Sequence, residues 1–253
     1  MTDDTLFQFL LDEASYPFVG WDFSYIEDTG RVAHAPLTWS YISIILPKMR
    51  QAEALLDMGT GGGELLSRLR PFPKLTCATE GYAPNIPVAQ ERLTPLGVQV
   101  YPVTDDKHLP LPDTTFDLVI NRHESYDPAE VRRVLKPGGE FVTQQVGGTN
   151  DRDLNRLLGA KLNSDFDHWT LAYARKEVEA AGFEIIAAHE DFPIMRIFDV
   201  GAVVYYLKAI PWQIEDFSVE SYFDQLLALH QTIQQQGYVD LHDHRFLIVA
   251  RKN

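Results

Sequence analysis

Hydrophobic residues in this chain fall into two rhythms. One is a series of short, continuous apolar runs at about 53–58, 74–80, 98–103, 116–122 and 139–145. The other is helical spacing in segments between them, at about 63–70, 84–94 and 128–135. Continuous apolar runs imply strands buried on both faces, and their alternation with helices implies a parallel sheet covered on either side. Further on, 151–160 and 170–181 read as helices, and Gly182 ends the second as a C-cap. Phe183-Glu184-Ile185-Ile186-Ala187-Ala188 then reads as a sixth strand. Helical patterns at 197–210 and 217–236, joined through Pro211-Trp212, separate it from a seventh strand at Arg245–Ala250. The expected fold class is α/β, a doubly wound, mostly parallel seven-stranded sheet with a helical insertion before the last strand.

Ahead of the first strand, residues 4–14 form an amphipathic pattern with Leu6, Phe7, Leu10 and Leu11 on one side. An aromatic-rich stretch, Tyr16-Pro17-Phe18-Val19-Gly20-Trp21-Asp22-Phe23-Ser24-Tyr25, follows without a clean period. Pro36 to Met49 reads as a helix whose Trp39, Ile42, Ile45 and Leu46 share a face. The expected divisions are therefore an N-terminal helical and aromatic cover (1–50), a sheet core (51–192), a helical insertion (193–242) and the last core strand (243–253). An insertion of that length usually covers a site or carries function.

The first strand leads directly into Asp57-Met58-Gly59-Thr60-Gly61-Gly62-Gly63-Glu64. A strand, a glycine turn and a helix start let backbone approach a ligand that a Cβ would block. A phosphate-cradling P-loop needs a Lys-Ser/Thr pair after its last glycine, and none follows Gly63. A dinucleotide turn needs glycine where Glu64 stands, and a carboxylate there would face the pyrophosphate. The turn instead has G-x-G-x-G spacing. A second strand ends in Glu80, followed by Gly81; the third leads to Asp105-Asp106. The run Leu109-Pro110-Leu111-Pro112-Asp113-Thr114-Thr115-Phe116-Asp117-Leu118-Val119 precedes Leu135-Lys136-Pro137-Gly138-Gly139. Together, over about residues 50–147, these motifs resemble those of the class I S-adenosylmethionine-dependent methyltransferases. That ligand carries a cationic sulfonium and no phosphate, so nearby acids are not penalised.

The resemblance implies a Rossmann-like methyltransferase fold with strand order 3-2-1-4-5-7-6, the last strand antiparallel. It implies S-adenosyl-L-methionine as cofactor, held by Asp57, Gly59, Thr60, Gly61 and Gly63 at the methionine end. Glu80, with Gly81, would hold the ribose, and Asp105 or Asp106 the adenine amino group. Ligands of a doubly wound sheet bind beyond the carboxyl ends of its strands, which adds Asn121 and Arg122 to the same crevice. His123 titrates near neutrality, so it is the candidate general base where the acceptor must lose a proton, with Asn121 the other catalytic candidate. Trp21, Tyr25, Gln144 and Tyr206 are the candidate acceptor-binding side chains. The aromatics among them could equally form a satellite core or the surface of a homodimer.

Composition narrows the acceptor. The net charge of −14 repels a phosphate backbone, and Lys and Arg are dispersed, so the expected acceptor is a small molecule and not nucleic acid. Methyltransferases acting on ribosomal RNA guanine share a similar core and are the alternative enzyme reading. A cofactor-binding protein without turnover is the alternative from another class, although motif I and the ribose acid are intact. No apolar run is long enough to span a bilayer, and the acidic start Thr2-Asp3-Asp4 does not read as a signal peptide. Cys77 is the only cysteine, which excludes an intrachain disulfide and fits a cytoplasmic location. Asp240, His242 and His244 would share one side of an extended segment, as zinc ligands can, yet a solvated polar loop is the expectation and no metal is assigned.

Overall fold

The computed structural model describes residues 2–18 and 21–253. Along the chain, α1 (Asp3–Ser15), α2 (Ser24–Glu27) and β1 (Val32–His34) precede α3 (Tyr41–Met49), β2 (Ala54–Met58), α4 (Glu64–Arg68) and β3 (Leu75–Glu80). Next come α5 (Asn85–Leu93), β4 (Gln99–Pro102), β5 (Phe116–Arg122), α6 (Pro128–Val134), β6 (Leu135–Val146), α7 (Arg152–Leu157) and α8 (Leu171–Ala180). The remainder is β7 (Phe183–Asp191), β8 (Ile194–Ile197), α9 (Val200–Ala209), α10 (Phe223–Gln236), β9 (Val239–His242) and β10 (Arg245–Lys252). These elements form two compact units. A core unit comprises residues 38–146, 169–190 and 245–253; a second unit comprises the chain up to Leu37, residues 147–168 and residues 191–244.

In the core unit, seven strands lie in the order β4-β3-β2-β5-β6-β10-β7. This is the expected order. The pairs β2–β3, β2–β5, β3–β4 and β5–β6 are parallel, and β10 runs antiparallel to β6. Alternate residues of each strand feed opposite faces. Leu56, Met58, Val119, Phe141 and Ile248 pack on one side, while Leu55, Ala78, Ile120, Val142 and Leu247 pack on the other. Both faces are buried, which is why the strands are continuously apolar. α3 covers the second face with Tyr41, Ile45 and Met49. It starts at Tyr41 and not at Pro36, because the Ser40 hydroxyl accepts from the Ser43 N–H at 3.2 Å and caps the first turn.

The second unit contains a three-stranded antiparallel sheet, β1-β8-β9. Its core joins Leu6 and Leu10 of α1, Val203, Val204 and Leu207 of α9, Leu226 and Ile233 of α10, and Met195 and Leu241 of the sheet. Arg31 bonds both oxygens of Asp199 at 2.7 and 2.8 Å and reaches Glu13 at 3.1 Å, tying α1 to the start of α9. The segment 193–242 carries the two expected helical stretches and also strands β8 and β9. Three- and four-residue strands show no period in sequence, and β1 pairs with a partner far along the chain, so neither signal was available. The expectation of a solvated loop at 240–244 is corrected. Val239–His242 is strand β9, and Asp243 and His244 are buried.

Candidate active site

The core unit's winding reverses between β2 and β5, and the strand ends there meet the glycine turn. Gly59, Gly61 and Gly63 all adopt positive φ, at 68°, 61° and 80°. The turn is closed by Thr60 N–H donating to the Thr79 carbonyl at 2.9 Å and Gly63 N–H donating to the Thr60 carbonyl at 3.0 Å. The glycines meet different surroundings. A Cβ on Gly63 would strike Leu93 at 2.7 Å, so that position serves close packing of α4 against α5. A Cβ on Gly61 would meet nothing within 4 Å. A Cβ on Gly59 would lie 2.2 Å from Cγ of Glu124, whose side chain rests on the turn. Glu64, where a dinucleotide turn has glycine, is ion-paired with Arg92, which also donates to the Gly62 carbonyl.

Carboxylates gather around this turn. Withdrawal from water pushes the Asp57 carboxyl up to about 7, with Glu80 adding to the rise and Thr60 and Arg122 opposing it. The Thr60 hydroxyl is buried without a partner of hydrogen-bond geometry, although it lies close enough to favour the Asp57 anion. Glu80 is buried at the end of β3; Oε1 accepts from the Tyr82 N–H at 2.7 Å, and the N–H groups of Gly61 and Gly81 also favour its charge. Burial nevertheless raises its pKa. Asp105 is exposed and held low by His108, whose Nδ1 lies 2.6 Å away, and by the Lys107 N–H at 2.9 Å. Asp106 accepts from the Ser125 hydroxyl. A cavity of about 430 Å³ runs among these groups, lined by Gly59, Gly81, Val103, Asp105, Asp106 and Glu124, with Tyr126 at its wall.

Beside the cavity, Asn121 is fully buried and belongs to a polar network. Its Oδ1 accepts from Thr143 at 2.7 Å and from the Gln145 amide at 2.6 Å, while its Nδ2 donates to the Met58 carbonyl at 3.4 Å. Gln145 also donates to the Glu124 carbonyl at 3.0 Å. The network fixes the β5–α6 loop to the sheet. His123 takes a left-handed φ of 61°. The Trp39 indole N–H donates to Gln144 Oε1 at 2.9 Å, which turns the Gln144 amide nitrogen toward His123 Nε2 at 3.2 Å. Nε2 is therefore the acceptor, and the neutral ring carries its proton on Nδ1. The ring keeps accessible surface, yet crowding by protein atoms and the charges of Arg122 and Arg245 push its pKa well down. The imidazole is neutral at pH 7 with its basic nitrogen engaged.

Of the acceptor-binding candidates, Gln144 lies in the core unit, while Trp21, Tyr25 and Tyr206 lie in the second. Val19 and Gly20 of the aromatic stretch lie outside the described residues. Tyr25 stacks on Tyr16 at 3.7 Å and donates to Glu13. Tyr206 donates to Asp151 Oδ2 at 2.7 Å. Trp21 is 57% exposed and lies 5.8 Å from Trp212, which is 48% exposed. Asp240, His242 and His244 have separate partners: Arg196, Asp153 and Thr149 respectively. The sequence reading placed Glu124 and Tyr126 in the candidate stretch Asn121–Tyr126 but gave neither a role, and both line the cavity. Both sit in the stretch that follows the switch-point strand, which was the available signal, but His123 drew the assignment as the group titrating near neutrality.

A doubly wound sheet of this order, with a glycine turn and acids at the ends of β2, β3 and β4, defines the class I methyltransferase fold. Residues 56–143 match a family described as a methyltransferase domain. Over that stretch the chain is similar to the class I S-adenosylmethionine-dependent methyltransferases, and it shares their fold. It is 29% identical over 181 residues to a malonyl-[acyl-carrier protein] O-methyltransferase of Geobacter sulfurreducens, covering 65% of each chain. It is 32% identical over 116 residues to a ubiquinone/menaquinone biosynthesis C-methyltransferase of Cupriavidus pinatubonensis, covering 41% of this chain and 47% of that one. Among solved structures, an S-adenosylmethionine-dependent methyltransferase from Aquifex aeolicus shares the fold, with a TM-score of 0.51 and 16% identity over 92% of this chain and 94% of that one. The chain thus spans less than two thirds of the length of these two curated relatives.

Proposed function

We propose that this protein transfers a methyl group from S-adenosyl-L-methionine to a small-molecule acceptor. The observation that carries the reading is the acid-lined cavity beside a glycine turn with open space at Gly61. The residues fit the cofactor. The open face of Gly61 admits close approach to backbone, and the acids favour a cation where a pyrophosphate would be repelled. In this reading Asp57, Thr60 and the Gly59–Gly63 turn hold the methionine end, Glu80 accepts from ribose hydroxyls, and Asp105 or Asp106 accepts from the adenine amino group. When bound, the cofactor supplies a methyl carbon made electrophilic by the sulfonium. The chain's own contribution is to orient the two reactants and exclude water, which accounts for much of the rate in such displacements. His123 can take a proton at Nε2 only by releasing Gln144, so an acceptor that attacks without losing a proton suits the resting geometry best.

The net charge of −14 supports a small acceptor over RNA. The relatives are named for O- and for C-methylation, so the atom methylated is left to experiment. Trp21, Tyr25 and Tyr206 are the candidate acceptor-binding aromatics, and Trp21 is the exposed one of the three. Among the described residues no helix is long and apolar enough to cross a membrane. A cytoplasmic site of action belongs to this reading, supported by the lone buried Cys77. The test is calorimetry with S-adenosylmethionine and with NAD, followed by labelled methyl transfer into metabolite, RNA and protein fractions. Binding of the first alone, and label in the metabolite fraction, are expected. NAD binding alone, or label only in RNA, overturns the reading.

A further inference from the structure

Of the cavity carboxylates that the roles above leave unassigned, Asp127 caps α6 by accepting from the Glu130 N–H at 3.0 Å, and Glu124 has no such structural task. Its main chain is anchored, because the Gln145 amide donates to its carbonyl at 3.0 Å. Its side chain lies directly on the turn: Cγ and Cβ stand 2.2 and 2.4 Å from where a Cβ of Gly59 would be. The same carboxylate feels the charges of Glu80 and Asp106. It therefore spans from the turn assigned to the methionine end toward the acid assigned to the ribose. In the ligand, the atom joining those two halves is the sulfur.

We propose that Glu124 recognises the positive charge at that sulfur, making the pocket prefer the cationic cofactor to its neutral thioether product. The inference rests on the cofactor reading above. The physical basis is Coulombic. S-adenosylmethionine and S-adenosylhomocysteine share the amino acid, ribose and adenine groups and differ by a methyl and one charge. Interactions with the shared groups act on both ligands alike, whereas a carboxylate in a partly dehydrated cavity acts on the charge alone. Burial and the two neighbouring acids hold the Glu124 pKa up, so the carboxylate gains most when a cation arrives. After transfer the attraction is lost, and the product is released more readily. Such a role is one of discrimination, distinct from holding the amino acid end.

The test is calorimetric and needs no acceptor. Wild type, Glu124→Gln and Glu124→Asp are titrated with S-adenosylmethionine and with S-adenosylhomocysteine, and their thermal melting is compared. Glu124→Gln is expected to weaken the cofactor by about tenfold or more, and the product by less than about threefold. Glu124→Asp, which keeps the charge, is expected to recover most of the preference. Equal loss for both ligands overturns the proposal and assigns Glu124 to a group they share. An unchanged ratio overturns it as well. If wild type binds neither ligand, the cofactor reading itself fails, and the proposal falls with it. Should Glu124→Gln melt early, Glu124→Asp decides: a folded Asp variant without the preference also overturns the proposal.

Discussion

The cavity of the core unit and the aromatic surface of the second unit are assembled by opposite routes. The groups lining the cavity sit at the ends of strands or in the loops that follow them, and the strands are ordered by short crossovers whose hand is set by sheet twist. Gly59 follows β2, Gly81 follows β3, Asp105 and Asp106 follow β4, and Glu124 follows β5. In the second unit, Arg31 is bound by Asp199, and Val32 pairs with Ile197. No local pattern announces either contact. The consequence is functional. Side chains at strand ends project from a framework that does not depend on them, so they can be exchanged with an effect mainly on ligand. The aromatics of the second unit are divided. Tyr205 is part of the core and Tyr206 is tied to Asp151, while Trp21 stands exposed.

The largest expected effect tests the framework claim. In the proposed reading Glu80→Ala removes two charge-assisted bonds to ligand, so it should cost roughly 3 kcal/mol or more, over about a hundredfold in cofactor affinity by calorimetry. Its melting temperature should fall only modestly, because removal of a buried acid offsets the loss of the acceptor for the Tyr82, Gly61 and Gly81 N–H groups. A melting loss with unchanged affinity would place Glu80 among structural groups.

The second test concerns pH. The Asp57 carboxyl is raised to about 7 in the folded protein, above its ordinary 3.8. Between these values the folded state holds a proton that the unfolded state has released, so stability falls as pH rises from about 4 to about 7 and levels off above. Asp57→Asn removes this contribution. Urea unfolding at several pH values should show a shallower decline for the variant than for wild type. Parallel slopes would mean that Asp57 is not the responsible group.

The two open-turn glycines give a sharper comparison. Gly61→Ala meets open space and incurs only the left-handed backbone cost, about 1–2 kcal/mol. Gly59→Ala adds a collision with Glu124, about 1–3 kcal/mol further. Introducing Glu124→Gly, which also removes the Cβ that would stand 2.4 Å away, beside Gly59→Ala should remove that excess, a coupling that a double-mutant cycle measures directly. Additive losses would mean that Glu124 does not rest on the turn in solution.

The smallest effect on stability belongs to Trp21. Exposed as it is, Trp21→Ala should change unfolding by no more than about 0.5 kcal/mol and leave cofactor affinity unchanged, while acceptor turnover falls. Tyr206→Ala is less clean, since it strips a hydrogen bond from buried Asp151. Tyr206→Phe, which keeps the ring, is the better partner for the comparison. Normal turnover in Trp21→Ala would return the exposed aromatics to a packing or dimer role.

Sequence alone determined the sheet and the glycine turn at its switch point. Continuous apolar runs specify strands buried on both faces, and glycines spaced G-x-G-x-G after an acid specify a turn that a Cβ would obstruct. Both are local properties, written in consecutive residues. The tertiary structure decided the rest. Which glycine is open and which is backed by Glu124 depends on where the β5–α6 loop lands, 65 positions after Gly59 in a chain that folds back through β5. The availability of His123 as a base depends on Trp39 turning Gln144 toward it, an arrangement joining three elements. The pKa of Asp57 depends on dehydration and on Glu80, neither of which a sequence displays. The second unit's sheet depends on strands too short to carry a period and too far apart to be paired by eye. Interactions that reach along the backbone leave a pattern in consecutive residues. Those that close through space leave none, and they set protonation, access and specificity.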